Sequence, residues 1–190
     1  MTELLPIDTA PVPVRLRVED YLLLDASGAF TEYAKTELIE GRIVGMNAQH
    51  RPHGMLKMEL YDRLREALKA AQSPLRPVVE FGLALSPDTL AEPDLMLTSE
   101  PSGDGFVPLA SVALVIEVSD TSLDFDLGAK AALYARHGIP EYWVADLNAK
   151  MIHQMWKPVD GAYVERRAAT FGESAAAITI ERLSVSTRDF

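Results

Sequence analysis

Two carboxylates are the side chains of this sequence best placed to do chemistry. Glu117 lies near the end of an apolar run, residues 112–118, that is typical of a strand covered on both faces. An ionised carboxylate there is costly unless it is paired, hydrogen-bonded or bound to a metal. Asp94 follows Pro93 at the start of a second apolar run, residues 94–97. If the two strands are neighbours, both carboxylates can bind a hard divalent cation such as Mg²⁺.

A lysine on the next predicted helix is the third candidate. Lys130 follows Glu117 by 13 residues and has Asp126 and Tyr134 four residues before and after it, so the three share one helix face. An ammonium beside a metal cluster can orient a water or stabilise the charge of a phosphorane-like transition state. Plainer interpretations stay open: Glu117 pairs with an arginine or with backbone N–H groups, Asp94 begins a turn, and Asp126 and Lys130 form a surface ion pair.

The hydrophobic pattern predicts the elements that must position these residues. Residues 1–17 read as an N-terminal arm, and residues 18–190 as a single domain. Helices are predicted over residues 18–24, 53–71 and 123–137, and a hairpin over 36–45 turns at Glu40-Gly41. Strands are predicted over residues 78–85, 94–97, 112–118, 142–145, 152–156 and 163–166, with an edge strand over 178–185. This order indicates an α/β or α+β fold with a mixed central sheet flanked by helices.

Composition narrows the classes of partner. With 28 acidic and 18 basic residues the formal charge is −10, which argues against a free-standing, high-affinity binder of duplex DNA. Binding to nucleic acid is therefore expected to be weak without divalent metal. The absence of cysteine excludes disulfides, zinc-thiolate sites and a cysteine nucleophile. No signal peptide or membrane-spanning run is visible, so a cytoplasmic location without a membrane partner is expected.

A zinc site at His50 and His53 is not favoured. Arg51 and Pro52 interrupt the helical spacing, and no further His or Cys is near in sequence. His53 is better interpreted as a helix-start residue that approaches the site. Glu80 alternates with apolar neighbours, which places it on the solvent face of a strand unless it adds a carboxylate to the cluster.

Six blocks, in order over about residues 18–168, resemble the Uma2 family of the restriction-endonuclease-like PD-(D/E)XK nuclease superfamily. The last two blocks are the most specific to that family. The blocks are Glu37-Leu38-Ile39-Glu40-Gly41-Arg42-Ile43; His53-Gly54 at a helix start; Glu92-Pro93-Asp94; Leu114-Val115-Ile116-Glu117-Val118-Ser119; Asp126, Lys130 and Tyr134 at four-residue spacing; and Gly138-Ile139-Pro140-Glu141-Tyr142-Trp143-Val144-Ala145-Asp146.

The resemblance implies a four-stranded mixed sheet with a metal site at one end of its central strands. Asp94 would be the aspartate of the Pro-Asp motif and Glu117 the acidic residue of the (D/E)XK strand, both ligands of Mg²⁺ or Mn²⁺. Glu40 or Glu37 would be a further acidic residue of the site, and Glu40 is taken as the catalytic one.

The family pattern also assigns the lysine. In the superfamily it stands two residues after the acidic residue, where this chain has Ser119. Family members of this type are thought to supply the lysine from the following helix, which makes Lys130 the candidate.

The implied function is metal-dependent hydrolysis of phosphodiesters in nucleic acid, in DNA rather than RNA, by a homodimer. Replacing Asp94 or Glu117 by Ala is expected to abolish cleavage and to leave melting near wild type. The alternative is a catalytically silent interaction module with the nuclease fold, dimerising through the strands around Trp143 and Trp156. A glycosidase-type carboxylate pair is disfavoured, because nothing else suggests a sugar cleft.

Overall fold

The computed structural model describes residues 12–46, 48–100 and 102–190, and a six-stranded sheet lies at its centre. The strand order is β11-β10-β9-β8-β6-β3. β8 and β9 are parallel and the other neighbours antiparallel, so the sheet is mixed, as predicted. The resemblance implied four strands, and the structure has two more. The bounds are β3 (Arg76–Val79), β6 (Leu95–Thr98), β8 (Val112–Ser119), β9 (Glu141–Asp146), β10 (Met151–Val159) and β11 (Ala162–Thr170).

Helices cover both faces of this sheet. One face packs on α2 (Arg51–Ala70), whose leucines recur every four residues and are buried, as their spacing predicted. The other face packs on a helical run with three parts, α3 (Leu123–Phe125), a π turn (Asp126–Lys130) and α4 (Ala131–Arg136). This run crosses over between parallel β8 and β9. The sheet is thus buried on both faces, which explains why β8 is apolar throughout except for its site residue and its last residue.

A second sheet of five strands lies beside the crossover helix. Its order is β2-β1-β5-β4-β7, and it shares one hydrophobic core with α4 and β8. The predicted hairpin is confirmed in this sheet as β1 and β2, joined at Glu40-Gly41. The bounds are β1 (Lys35–Ile39), β2 (Arg42–Met46), β4 (Leu83–Ser86), β5 (Thr89–Ala91) and β7 (Val107–Pro108).

The N-terminal segment agrees with the prediction as far as it is described. The predicted first helix is confirmed as α1 (Val18–Ala26), in which only Tyr21 is buried. Residues 12–17 have no regular secondary structure, and the Leu16 N–H donates to the Gly41 carbonyl oxygen (3.0 Å). The rest of the predicted arm, residues 1–11, lies outside the described residues.

The single strand predicted over residues 78–85 is wrong. The chain leaves β3 at Glu80, whose φ of 54° is left-handed, and then enters the other sheet as β4. Gly82 sits in this bend with the Phe106 ring 2.6 Å from where a Cβ would lie, so no side chain fits there. An apolar run that changes sheets reads as one strand in sequence, because both halves are apolar.

The edge strand predicted over residues 178–185 is also wrong. The segment begins after β12 (Ser174–Ala176) and ends in β13 (Ser184–Ser186), which pair only with each other. Between them the chain turns, and the Glu141 carboxylate accepts the N–H groups of Ile178 and Thr179 at 2.9 and 2.8 Å. Ile180 and Leu183 are buried by this turn, so their apolar character reflects packing and not a strand.

The two tryptophans have different environments. Trp143 is fully buried in its own chain and donates to Glu141 Oε1 (2.7 Å), so it cannot lie in a dimer interface as suggested. Trp156 is half-buried on β10, with the Arg167 guanidinium 5.8 Å from its ring centroid. Across the described ranges, no helix is long and apolar enough to cross a bilayer.

Candidate active site

A cavity of about 1050 Å³ collects most of the predicted site residues. Its walls come from β1 and β2, the start of α2, the end of β8 and the π turn. The charged side chains that line it are mostly acidic: Glu80, Glu92, Asp94, Glu117, Asp120 and Asp126, with Lys35 and Lys130. A phosphate group entering this cavity would meet a negative field unless cations were also bound there.

Asp94 and Glu117 meet at the base of the cavity. β6 and β8 are antiparallel with Leu95 opposite Ile116, which sets the two acidic residues side by side. The Asp94 N–H donates to Glu117 Oε2 (3.1 Å), and the Val118 N–H donates to Asp94 Oδ2 (2.9 Å). Both residues are at most 4% exposed. β6 and β8 are therefore neighbours, which is the condition for both carboxylates to bind one cation.

Lys130 reaches the same pair from the π turn. Its Nζ lies 2.8 Å from Glu117 Oε1, which also accepts the Tyr134 hydroxyl at 2.9 Å. Burial alone would lower the pKa of Lys130, but the charges of Glu117 and Glu37 outweigh it and raise the pKa above its usual value. The ammonium therefore stays protonated, and Lys130 is a buried partner of Glu117 and not a surface side chain.

Glu37, and not Glu40, is the hairpin acid at this cluster. Strand alternation turns Glu37 inward, where its Oε1 lies 3.6 Å from Lys130 Nζ and accepts the Glu92 N–H at 2.9 Å. Burial is the main cause that raises its pKa, and its Oε2 is buried with no hydrogen-bond partner among the residues that the structure describes. Glu40 occupies the turn, half-exposed, and binds Arg136 (2.6 Å). The choice of Glu40 as the catalytic acid is corrected accordingly.

Gln49 and Lys57, which the sequence did not indicate, contact Asp94 together with His53, which was expected to approach the site. Asp94 Oδ1 accepts Gln49 Nε2 (3.0 Å) and Lys57 Nζ (3.4 Å), and its Oδ2 lies 3.1 Å from His53 Nε2. Lys57 Nζ also contacts Glu80 Oε1 (2.5 Å), so Glu80 is a cluster residue and not on a strand face. The available signal was the four-residue spacing from His53 to Lys57, which sets both on one face of α2.

Burial and hydrogen bonding act in opposite directions on Asp94. Burial raises the pKa of the Asp94 carboxyl, but the His53 hydrogen bond and charge, the Val118 N–H and Lys57 outweigh it and lower the pKa to about 2. Asp94 therefore stays ionised at neutral pH. An ionised carboxylate is what a metal ligand must be.

Ser119 stands where the superfamily has its strand lysine. It belongs to a separate row of hydrogen-bonded side chains. Its hydroxyl lies 3.3 Å from that of Ser122, which donates to Asp126 Oδ2 (2.6 Å). Burial and the charge of Glu117 raise the pKa of Asp126 to about 6. Asp126 thus faces the cavity near Ser122. The alternative of a surface ion pair with Lys130 does not hold, because both residues are buried.

We expect Asp126→Asn to stabilise the protein more at high pH than at low pH. Because its pKa is raised from 3.8 to about 6, folded Asp126 binds its proton more tightly than the unfolded chain does, and stability falls as pH rises through this window. Asn does not ionise, so the variant should gain about 1–3 kcal/mol over wild type at pH 8 and only about 0.5 kcal/mol at pH 4. Urea unfolding at the two pH values measures the difference.

The matched control for this prediction is Asp124→Asn, two residues away and exposed on the same helical run. Its unfolding free energy should track that of wild type at both pH values. An Asp126→Asn gain that is the same at pH 4 and pH 8 would contradict the assignment of the effect to ionisation.

The side chains present fit a Mg²⁺-like ion. Among the residues that the structure describes, no group of three or more His, Cys, Asp or Glu side chains is arranged to hold a metal. Mg²⁺, however, is commonly held by one or two carboxylates and keeps several waters. Glu117 Oε2 accepts one hydrogen bond, from Asp94, and so has a free lone pair for such an ion. Glu117 can therefore bind such an ion as it stands, and Asp94 can join it once one of the four contacts of its carboxylate is released.

The comparisons with known proteins agree with this fold. A family model described as "Uma2: Putative restriction endonuclease" matches residues 18–187. A solved structure from Anabaena variabilis, titled a "putative nuclease belonging to DUF820", has a TM-score of 0.61 at 16% identity, covering 90% of this chain and 92% of that one. At this identity the likeness shows the fold alone.

Two further comparisons carry no argument. A chain of a cryoEM structure titled "DrdV-DNA complex" has a TM-score of 0.31 at 14% identity, covering 60% of this chain and 12% of that one. A search of curated protein sequences finds no match.

Proposed function

Because the chain belongs to the Uma2 family of restriction-endonuclease-like proteins, we propose that it is a metal-dependent nuclease that hydrolyses phosphodiesters in DNA. Asp94 and Glu117 are the proposed metal ligands, and Lys130 is the proposed catalytic lysine. Residues 18–190 are proposed as one domain, since both sheets share a hydrophobic core.

One observation carries this proposal: two buried carboxylates on neighbouring strands and a buried ammonium converge on a single cavity. Burying these charges costs free energy that a purely structural core would avoid with apolar side chains. A cluster of buried ionisable groups with shifted pKa values in a cleft is typical of a functional site.

Mg²⁺ or Mn²⁺ at the two carboxylates would lower the pKa of a water and polarise the phosphoryl oxygen. The protein contributes a positive charge at Lys130, where, against the lowering effect of burial, the charges of Glu117 and Glu37 raise the pKa. Its Nζ donates to Glu117 Oε1, and an ammonium has three donors, so one can contact a substrate oxygen as negative charge develops. Tyr134 holds the same Glu117 oxygen and keeps it oriented.

We predict that wild-type protein cuts labelled DNA only with Mg²⁺ or Mn²⁺ and that Asp94→Asn lowers the rate at least about 10²-fold. Asn keeps an acceptor for the Val118 N–H but loses the charge that a metal requires. Single-stranded, duplex and branched DNA, with RNA in parallel, are followed by gel electrophoresis.

Two matched controls each remove one carboxylate charge at a residue outside the cluster. They are Asp120→Asn, at a residue that lines the same cavity, and Glu40→Gln, at the hairpin turn. Both should cut like wild type. If wild type cuts none of these nucleic acids with either metal, the nuclease proposal fails.

A second candidate function is a silent, homodimeric interaction module with the nuclease fold. It is favoured by Ser119 in the strand-lysine position and by the four contacts that already surround the Asp94 carboxylate. A dimer without divalent-metal binding in calorimetry supports this candidate over the nuclease. Of the two tryptophans, only half-buried Trp156 can contribute to such an interface.

A further inference from the structure

Lys57 is a second buried lysine of the cluster, on the opposite side of the carboxylates from Lys130. It lies one turn after His53 on α2 and is 7% exposed. Its Nζ contacts three acceptors, namely Glu80 Oε1 (2.5 Å), Gln49 Oε1 (2.6 Å) and Asp94 Oδ1 (3.4 Å). The two shortest contacts do not involve Asp94, so the Lys57 ammonium is bound chiefly by Glu80 and Gln49.

The Asp94 carboxylate has no spare acceptor position. Each oxygen has two contacts, Oδ1 from Gln49 and Lys57 and Oδ2 from Val118 and His53. A carboxylate oxygen offers about two lone pairs. A divalent ion can therefore bind Asp94 only if one of these four contacts is released.

Lys57 is the contact most easily released. At 3.4 Å it is the longest of the four, and it carries a positive charge that a divalent ion repels. Once released from Asp94, the Lys57 ammonium still donates hydrogen bonds to Glu80 and Gln49. Glu80 has a left-handed backbone conformation (φ 54°) and donates its N–H to the Asp94 carbonyl oxygen (3.3 Å). The Glu80 acceptor of Lys57 is therefore fixed directly beside the proposed metal site.

We propose that Lys57 is an internal counter-cation that neutralises Asp94 while no metal is bound and competes with the metal for it. Metal binding shifts the ammonium fully onto Glu80 and Gln49. This inference rests on the proposed function, because it takes Asp94 as a metal ligand. It assigns Lys57 a positioning role that sets metal affinity, distinct from the role of Lys130 toward the substrate.

The test is metal affinity, measured by calorimetry with Ca²⁺ and with Mn²⁺ at pH 8 and fixed ionic strength. Lys57→Met removes the competing charge and keeps a long apolar side chain, so both metals should bind at least tenfold more tightly than to wild type. Lys57→Arg keeps the charge and should bind within threefold of wild type. The matched control is Lys35→Met, which loses a lysine of the same cavity that contacts Glu92 (3.3 Å) and not Asp94, and it should also stay within threefold.

The melting temperature is a second readout. It serves if Lys57→Met is unstable without metal, because the negative charges of Asp94 and Glu80 then lack the positive charge of Lys57. The double variant Lys57→Met with Glu80→Gln removes one of these two charges. Saturating Ca²⁺ should raise its melting temperature more than that of Glu80→Gln alone.

The outcomes separate this inference from the nuclease proposal. Unchanged or weaker metal binding by Lys57→Met overturns the competition, even if wild type cuts DNA. Tighter binding by Lys57→Met supports the competition, even if no variant cuts. No binding of either metal by any variant contradicts both.

Discussion

Glu117→Gln should abolish cleavage and also destabilise the fold, which makes it the variant with the largest expected effect. Glu117 uses both oxygens as acceptors, from Lys130 and Tyr134 on one side and from the Asp94 N–H on the other. The Gln amide has one acceptor, so its NH₂ must face a donor. Breaking a buried ion pair from one side costs about 3–5 kcal/mol.

The structure thus changes one expectation drawn from the sequence, that a substitution at Glu117 leaves melting unaltered. Cleavage should fall at least about 10³-fold, since a metal ligand carries several kcal/mol of transition-state stabilisation. Chemical denaturation and a cleavage time course on the same preparations measure the two effects. Stability equal to wild type would mean that Glu117 and Lys130 are not paired in the folded protein.

A double variant separates the two effects of Glu117. Replacing both partners of a buried ion pair by neutral side chains is often close to neutral for stability. Glu117→Gln combined with Lys130→Met should therefore be more stable than either single variant and equally inactive. Recovery of stability without recovery of cleavage assigns the activity to the charges themselves and not to the intact fold.

Lys130→Met is the second large effect, and its signature is a loss of rate with metal binding retained. Without the ammonium, Glu117 and Glu37 are left close together in a buried site, which should cost about 3–5 kcal/mol. Removing one charged donor from the developing phosphorane should lower the rate about 10²–10³-fold. Ca²⁺ or Mn²⁺ should bind no more weakly than to wild type, because a positive charge has been removed.

Lys35→Met is again the control, here for Lys130→Met, since it removes a different ammonium from the same cavity. Its rate should stay within about threefold of wild type, because Lys35 lies 3.9 Å from Glu37 and makes its other contacts to Glu92. Loss of metal binding in Lys130→Met would show that this lysine organises the carboxylates and does not act on the substrate.

The sequence predicted most of the fold where one physical signal dominated. Leucines every four residues along α2 and the apolar run of β8 both report burial on a defined face, and both elements were confirmed. Residue type and spacing indicated Asp94, Glu117 and Lys130, and the Uma2 resemblance assigned the same three. The structure brings them together.

The errors arose where burial alone does not fix the partner. Apolar residues lie on both sides of the bend at Glu80, so their pattern does not show that β3 and β4 belong to different sheets. Glu37 lies within β1 and Glu40 at the hairpin turn, and which of them reaches the cluster depends on how the hairpin packs beside β5. Lys57 reads as a solvated helix charge, because nothing nearby in sequence reveals that Asp94 and Glu80 approach it.

The π turn at Asp126–Lys130 makes the site depend on chain length as well as on residue type. Such a turn closes with i to i+5 hydrogen bonds and so holds one residue more than an α-helical turn. Deleting Leu127, Gly128 or Ala129 would let the segment close as an α-helical turn. All the charged side chains would be kept, but the directions of Asp126 and Lys130 relative to each other would change. An alignment that permits no gap in this helix would consequently match the wrong residue of a relative to Lys130.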